Sequence, residues 1–199
     1  EKVGRDQAQL IMHTDPFDPH GQNLQSIVEK LGLTSGEVVF STSKLPPEQL
    51  AKIYNFADVT INISDAEGFG LATLESLACE TPIIATMTGG LQEQVTDGEN
   101  WFGVGIEPSS KAIIGSQQIP WIYEDRVSGS DVVDALCKVY NMKPNEREEL
   151  GKLGRNHALE NYGFDQYVQL WDEILTEVHD KFGSWESRKG YSTWNLTEV

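Results

Sequence analysis

The chain has 199 residues, 39% of them hydrophobic, with 31 acidic and 15 basic side chains and a net charge of −16. That length suits one globular domain with a sizeable core, and the acidic balance excludes nucleic acid and anionic membrane as bulk partners. No run approaches the ~18 apolar residues of a membrane span, the two cysteines, Cys79 and Cys137, form no CxxC or zinc-type cluster, and no metal site is expected.

In chain order, residues 1–8 are polar and read as the end of a cut element. Gln9-Leu10-Ile11-Met12-His13-Thr14 reads as a buried strand. Asp15-Pro16-Phe17-Asp18-Pro19-His20-Gly21 must be a loop, because two prolines and a glycine forbid regular structure. Leu24, Ile27, Val28 and Leu31 form a helix stripe closed by Gly32. Val38-Val39-Phe40-Ser41 is a second strand, and Pro46-Pro47 opens a helix carrying Leu50, Ile53, Tyr54 and Ala57. Val59-Thr60-Ile61-Asn62-Ile63-Ser64 is a third strand. It runs into Asp65-Ala66-Glu67-Gly68-Phe69-Gly70 and a helix beginning near Gly70. Pro82-Ile83-Ile84-Ala85-Thr86 is a fourth strand. Thr88-Gly89-Gly90-Leu91 then opens a short helix through Val95, with a turn at Asp97-Gly98. Trp101 to Ile106 reads as a fifth strand, 107–118 as an inserted loop without a functional account, and Pro120 to Tyr123 as a short extended piece.

Ser128-Gly129-Ser130-Asp131 caps a helix through Val132, Val133, Leu136, Val139 and Tyr140. Pro144 starts the next, with Leu150, Leu153 and His157 along one side. A long helix then presents Tyr167, Leu170, Trp171, Ile174, Leu175 and Val178 on its apolar face. Residues 183–199 form a polar and aromatic tail with an Asn195-Leu196-Thr197 sequon, to which no role is assigned. Strands alternating with helices of 10–12 residues imply βαβ units. Short apolar strands imply a parallel sheet covered on both faces, a Rossmann-like doubly wound α/β fold over residues 1–182. Ligands of such sheets bind outside the carboxyl ends of the strands, where the loops 14–21, 42–46, 64–70 and 87–91 are expected to meet. No internal repeat is present, and no GxGxxG follows the first strand, so a dinucleotide oxidoreductase is disfavoured.

The chemistry concentrates at the third strand–loop–helix junction. Gly68 and Gly70 lack Cβ, so the backbone can take positive φ and a ligand can approach closely. The first N–H groups of the following helix have no helical partner and, with its dipole, attract an anion such as phosphate. Counting from Gly70, Glu75 falls on the stripe of Leu71, Leu74 and Ala78 that is expected to face the sheet, where a carboxylate is stable only if hydrogen-bonded. Glu67 lies at the loop tip. The Gly89-Gly90 pair reads equally as turn chemistry or as ligand access. His13 ends a strand near the ligand edge; it and His20, His157 and His179 read as structural or surface residues.

Glu67 and Glu75 are separated by seven residues, with Gly68-Phe69-Gly70-Leu71 filling the start of the interval. This E-x7-E spacing resembles that of retaining glycosyltransferases of the GT-B fold, the group 1 or family 4 set. Leu50-Ala51-Lys52-Ile53-Tyr54-Asn55-Phe56-Ala57-Asp58-Val59 before it and Glu80-Thr81-Pro82-Ile83-Ile84-Ala85 after it match as well. The resemblance spans roughly residues 8–181 and is densest over 36–100. It implies the C-terminal, donor-binding domain of a two-domain enzyme whose N-terminal domain is absent here. The reaction implied is glycosyl transfer from a nucleoside-diphosphate sugar, UDP- or GDP-linked, to an unknown acceptor (glycan, lipid or protein), with retention and no metal or other cofactor. It further implies that Glu67 is the catalytic residue contacting the donor sugar and that Glu75 holds the ribose. Gly68, Phe69, Gly70 and Leu71 surround the diphosphate, and Ser43, Lys44 and Leu45 edge the base. The family's diphosphate-neutralising Arg and Lys lie before the first strand and have no matching positions in this sequence. A cytoplasmic protein is expected. The rival readings are a GT-B sugar-nucleotide epimerase and a degenerate nucleotide-binding or scaffold module.

Overall fold

The strand β4 (Ile83–Thr86) is buried at every position, as a short Ile/Ala run covered on both faces must be. It lies between β3 (Thr60–Asn62) and β5 (Gly103–Ile106), parallel to each. One face of this sheet meets Leu77, Leu91, Val95, Phe102 and Ala158. The other meets Ala135 and Val139, with Val132 and Leu136 at the margin. The structure, a computed structural model, describes residues 2–190, so the sequon at Asn195 lies outside the described residues. The chain divides into two compact units at Gln49 and Leu50.

The first unit holds β1 (Leu10–Met12), α1 (Leu24–Lys30) and β2 (Val38–Phe40), with β1 and β2 paired in parallel from Leu10 opposite Val38 to Met12 opposite Phe40. Asn23 caps α1 by accepting a bond from the Ser26 N–H, and Gly32 follows the helix with positive φ. β1 is not the buried strand expected: Leu10 is exposed and Ile11 and Met12 are half-buried. The loops 14–21 and 42–46 belong to this unit.

α2 (Pro47–Phe56) crosses the division, and the rest of the fold follows in the second unit. α3 (Leu71–Ala78) and α4 (Leu91–Val95) alternate with the strands of the three-stranded sheet. α5 (Gly129–Asn141) is capped by Ser128, which accepts from the Asp131 N–H. α6 (Pro144–Asn161) has Pro at its first position, and Glu146 accepts from the Lys143 N–H at 2.7 Å. The close approach of α6 to the turn after α3 depends on Gly151, where a Cβ would fall 1.9 Å from the Glu80 carbonyl oxygen. α7 (Phe164–Phe182) is strongly amphipathic, yet none of its residues is buried.

The expected loop at 107–118 contains a strand instead, and with the stretch expected to be extended after it forms a β-hairpin. β6 (Ser110–Ile114) pairs antiparallel with β7 (Ile122–Arg126), Ser110 opposite Arg126 and Ile114 opposite Ile122. The apolar ends of the two strands, separated by a segment containing Gly115, pair across the ladder, with Ile113 opposite Tyr123 as well as Ile114 opposite Ile122. Trp101 does not join β5; it forms an isolated bridge with Thr96. Both cysteines are free and half-buried. Among the described residues no helix is long and apolar enough to cross a membrane.

Candidate active site at the carboxyl edge of the three-stranded sheet

β3 delivers the chain to the loop that carries Glu67, and α3 takes it away. Gly70 is the N-cap of α3, in a left-handed conformation with φ 90° and ψ 63°. A side chain there is excluded twice, by that conformation and by Leu91 Cδ2 lying 2.5 Å from where a Cβ would stand. A glycine cap brings no side-chain oxygen, so the first N–H groups of α3 stay uncapped by any side chain. The helix therefore presents its positive end at the carboxyl edge of the sheet. Gly68 does not use positive φ. A Cβ there would meet nothing within 4 Å, so its smallness keeps the loop surface open and is not a backbone requirement.

Buried side chains hold this loop from beneath. Gln94, fully buried on α4, donates from Nε2 to the Phe69 carbonyl at 2.6 Å. Thr73 Oγ1 lies 2.8 Å from the Gly70 carbonyl and 2.5 Å from Gln94 Oε1, its single proton facing two acceptors. The Gly89-Gly90 pair serves close approach: a Cβ on Gly89 would stand 1.7 Å from the Glu67 carbonyl oxygen, and one on Gly90 would stand 2.8 Å from that of Gly68. The Gly90 N–H also points to Glu67 O at 3.4 Å. The loop after β4 is thus pressed against the backbone that carries Glu67. The Phe69 ring meets Tyr162 edge-on at 5.7 Å, and Tyr162 in turn meets His157. His157 is a packing residue: it stacks on Phe102 at 4.1 Å and bonds the Glu93 carbonyl through Nε2.

Glu75 is not on the face expected. α3 turns Thr73, Ser76 and Leu77 inward, while Leu71 and Glu75 are exposed. The polar pair can face the core because its hydroxyls are satisfied: Ser76 Oγ donates to Thr60 Oγ1 at 2.7 Å and lies 3.0 Å from the Thr81 carbonyl. Hydrophobic spacing alone assigned the stripe to Leu71 and Leu74, and the buried hydroxyls defeated it. Glu75 nevertheless has a hydrogen-bond donor of its own. Tyr54 on α2 donates to its Oε2 at 2.8 Å. Burial first, and then this bond, push the Tyr54 phenol above its ordinary range, so the ring stays a donor at any physiological pH.

Glu67, half-buried, thus precedes the glycine cap of α3, and Glu75 follows it on the exposed side of the helix. Ser43, Lys44 and Leu45 lie in the loop after β2 in the first unit, the first two exposed and Leu45 half-buried. Among the described residues no cluster of three or more His, Cys, Asp or Glu side chains is arranged to hold a metal ion. Sequence reasoning missed Tyr54, Thr73 and Gln94. A polar residue between Leu91 and Val95 on so short a helix was the available signal for Gln94.

The chain is similar to known proteins in sequence and in fold. A D-inositol 3-phosphate glycosyltransferase from Paenarthrobacter aurescens is 33% identical over 157 residues, covering 78% of this chain and 32% of that protein. The chain spans about a third or less of the length of the curated relatives it matches. The C-terminal domain of a glycosyl transferase group 1 family protein (LpcC) from Francisella tularensis superposes with a TM-score of 0.52 at 23% identity, over 71% of this chain and 61% of that one. Anabaena Alr3699/HepE in complex with UDP-glucose superposes with a TM-score of 0.61 at 17% identity, over 85% and 41%. The family described as glycosyl transferases group 1 matches residues 18–156, from the loop after β1 through most of α6 and across the whole Glu67–Glu75 junction. A match of that extent, covering more than half of the chain and the loop and helix that carry the two glutamates, makes this chain a member of the group 1 glycosyl transferases.

Proposed function

We propose that this chain is the donor-binding half of a retaining GT-B glycosyltransferase that moves a sugar from a nucleoside-diphosphate sugar, UDP- or GDP-linked, without a metal. The observation that carries the reading is the glycine-capped N-terminus of α3 flanked by Glu67 and Glu75. The uncapped N–H groups at Gly70 and Leu71 receive the diphosphate and stabilise the charge that grows on it as the glycosidic bond breaks. Gly68 leaves room for the sugar, and Phe69, braced by Tyr162, closes the side of the loop. Glu67 accepts hydrogen bonds from the sugar hydroxyls and orients the ring as oxocarbenium character develops. Glu75, held through Oε2 by Tyr54, offers Oε1 to the ribose hydroxyls. Ser43, Lys44 and Leu45 edge the base.

The two carboxylates act on different parts of one ligand, unlike a glycosidase pair that flanks one scissile bond. The apolar row of α7, from Tyr167 to Val178, is in this reading a surface that the N-terminal domain covers. That domain sets the acceptor, and the curated relatives' names point to a phosphorylated polyol for it. The donor chemistry fits a cytoplasmic protein. The test is the anomeric configuration of the product, read by proton NMR with the full-length protein and its preferred donor. Retention, with transfer lost in Glu67→Ala and Glu75→Ala, supports the reading; inversion, or full transfer by Glu75→Ala, overturns it.

A further inference from the structure

The β6–β7 hairpin leaves the carboxyl end of β5, and its second strand returns to the loops that follow the other two strands of the sheet. The Asp125 N–H donates to the Asp65 carbonyl at 2.7 Å. The Arg126 guanidinium pairs with the Asp65 carboxylate and lies 2.7 Å from that of Glu124. One residue earlier on the strand, Asp125 Oδ2 accepts from the Thr88 hydroxyl at 2.7 Å, and Lys111 Nζ across the ladder stands 3.5 Å from Oδ1. Thr88 is buried and immediately precedes Gly89, which presses on the Glu67 carbonyl. Asp65 is two residues before Glu67. Two adjacent residues of β7 thus tie together the loop after β3 and the loop after β4, by a backbone bond, an ion pair and a charge-assisted hydroxyl bond.

We propose that Asp125 and Arg126 are positioning residues: through Asp65 and Thr88 they hold the Asp65–Gly70 loop, and hence Glu67, in the geometry that receives the donor sugar. The inference rests on the donor-domain reading above. It explains why a hairpin stands where a free loop would connect the sheet to α5, since the hairpin latches the carboxyl edge of the sheet. The arrangement suits a latch because both ties start from a strand held in a ladder, although the Arg126–Asp65 pair itself is partly exposed, at 36% and 48%. The Asp125 side chain is 16% exposed, and its backbone is fixed by the ladder to β6. A bond anchored in a strand transmits its register to the loop it meets, the partly exposed ion pair more weakly than the buried hydroxyl bond.

Two measurements on the full-length protein test this. Amide hydrogen exchange of residues 66–69 in the free protein is expected to quicken about two- to fivefold in Arg126→Ala, the effect of losing one partly exposed ion pair. Donor affinity is expected to fall by about the same factor, with Arg126→Lys recovering most of it and Asp65→Ala/Arg126→Ala no weaker than either single variant. If the unsubstituted protein binds a nucleotide sugar and Glu75→Ala does not, but Arg126→Ala matches the unsubstituted protein in exchange and affinity, the latch is overturned and the donor reading stands. If the unsubstituted protein binds no nucleotide sugar, the donor reading fails and the proposal fails with it.

Discussion

Replacing Gly89 by alanine tests whether the loop after β4 governs the position of Glu67. Gly89 has φ +49°, and a Cβ there would stand 1.7 Å from the Glu67 carbonyl oxygen. Contacts of that kind do not fall below 3.0 Å, so one backbone must retreat from the other by at least about 1.3 Å. The left-handed conformation costs about 1–2 kcal/mol and the overpacking about 1–3 kcal/mol. A combined loss of about 3 kcal/mol lowers Tm by roughly 6–12 °C for a domain of this size, which leaves the protein folded at 25 °C if its stability is ordinary. Misplacing a substrate-positioning group by about 1 Å lowers turnover about a hundredfold. The assay is donor turnover at 25 °C, with circular dichroism to confirm folding. Gly98→Ala is the control, since Gly98 has φ +94° and nothing within 4 Å of its absent Cβ: it carries the strain without the clash and is expected to keep its turnover. If folded Gly89→Ala turns over donor as Gly98→Ala does, the packing of the Gly89 loop does not set the position of Glu67.

Three further outcomes follow from the same geometry. Tyr54→Phe removes the donor at 2.8 Å from Glu75 Oε2 and should weaken donor binding about tenfold in a titration, the scale of one hydrogen bond to a charged group; unchanged affinity contradicts an orienting role. Gly151→Ala would gain about 1 kcal/mol on helix propensity alone, but its Cβ would stand 1.9 Å from the Glu80 carbonyl, so thermal unfolding should show a net loss of about 1–3 kcal/mol, and a raised Tm would contradict the close packing of α6. The Asp97 carboxyl is held down to about 2 by the Asn100 N–H first, then by the Asn100 side chain and the Glu99 N–H. Because that value lies below the ordinary one near 3.9, the turn's contribution to stability is complete above about pH 4 and is lost as pH falls through about 2. A carboxyl-carbon NMR titration of Asp97 should show the low midpoint, and one near 4 contradicts the turn.

Much of the fold was legible because its signals were local. Ser128 caps the helix it was expected to cap, Gly32 follows α1, and Pro144 opens α6. The Ile83-Ile84-Ala85 run is the central buried strand. The glutamate junction was legible because two carboxylates, two glycines and a helix start converge within nine residues. What failed depended on partners distant in sequence. The face that α3 buries is set by hydroxyls bonded to Gln94, Thr60 and Thr81, which no hydrophobic period reports. The hairpin was hidden because β6 is convincing only beside β7, of which only the start read as extended, and Asp125 and Arg126 carry no local signal until β7 is laid against Asp65. Gly89 looked like a turn residue or a ligand contact, whereas its smallness serves the neighbouring backbone.

The most direct test of the central claim is a calorimetric titration of the full-length protein with uridine, guanosine and adenosine diphosphate sugars, beside its Glu75→Ala variant. Saturable binding of a UDP- or GDP-linked donor, lost in the variant, is the predicted result. Absence of binding to every donor, or equal binding by Glu75→Ala, contradicts the assignment of the α3 N-terminus and its two glutamates as the donor site.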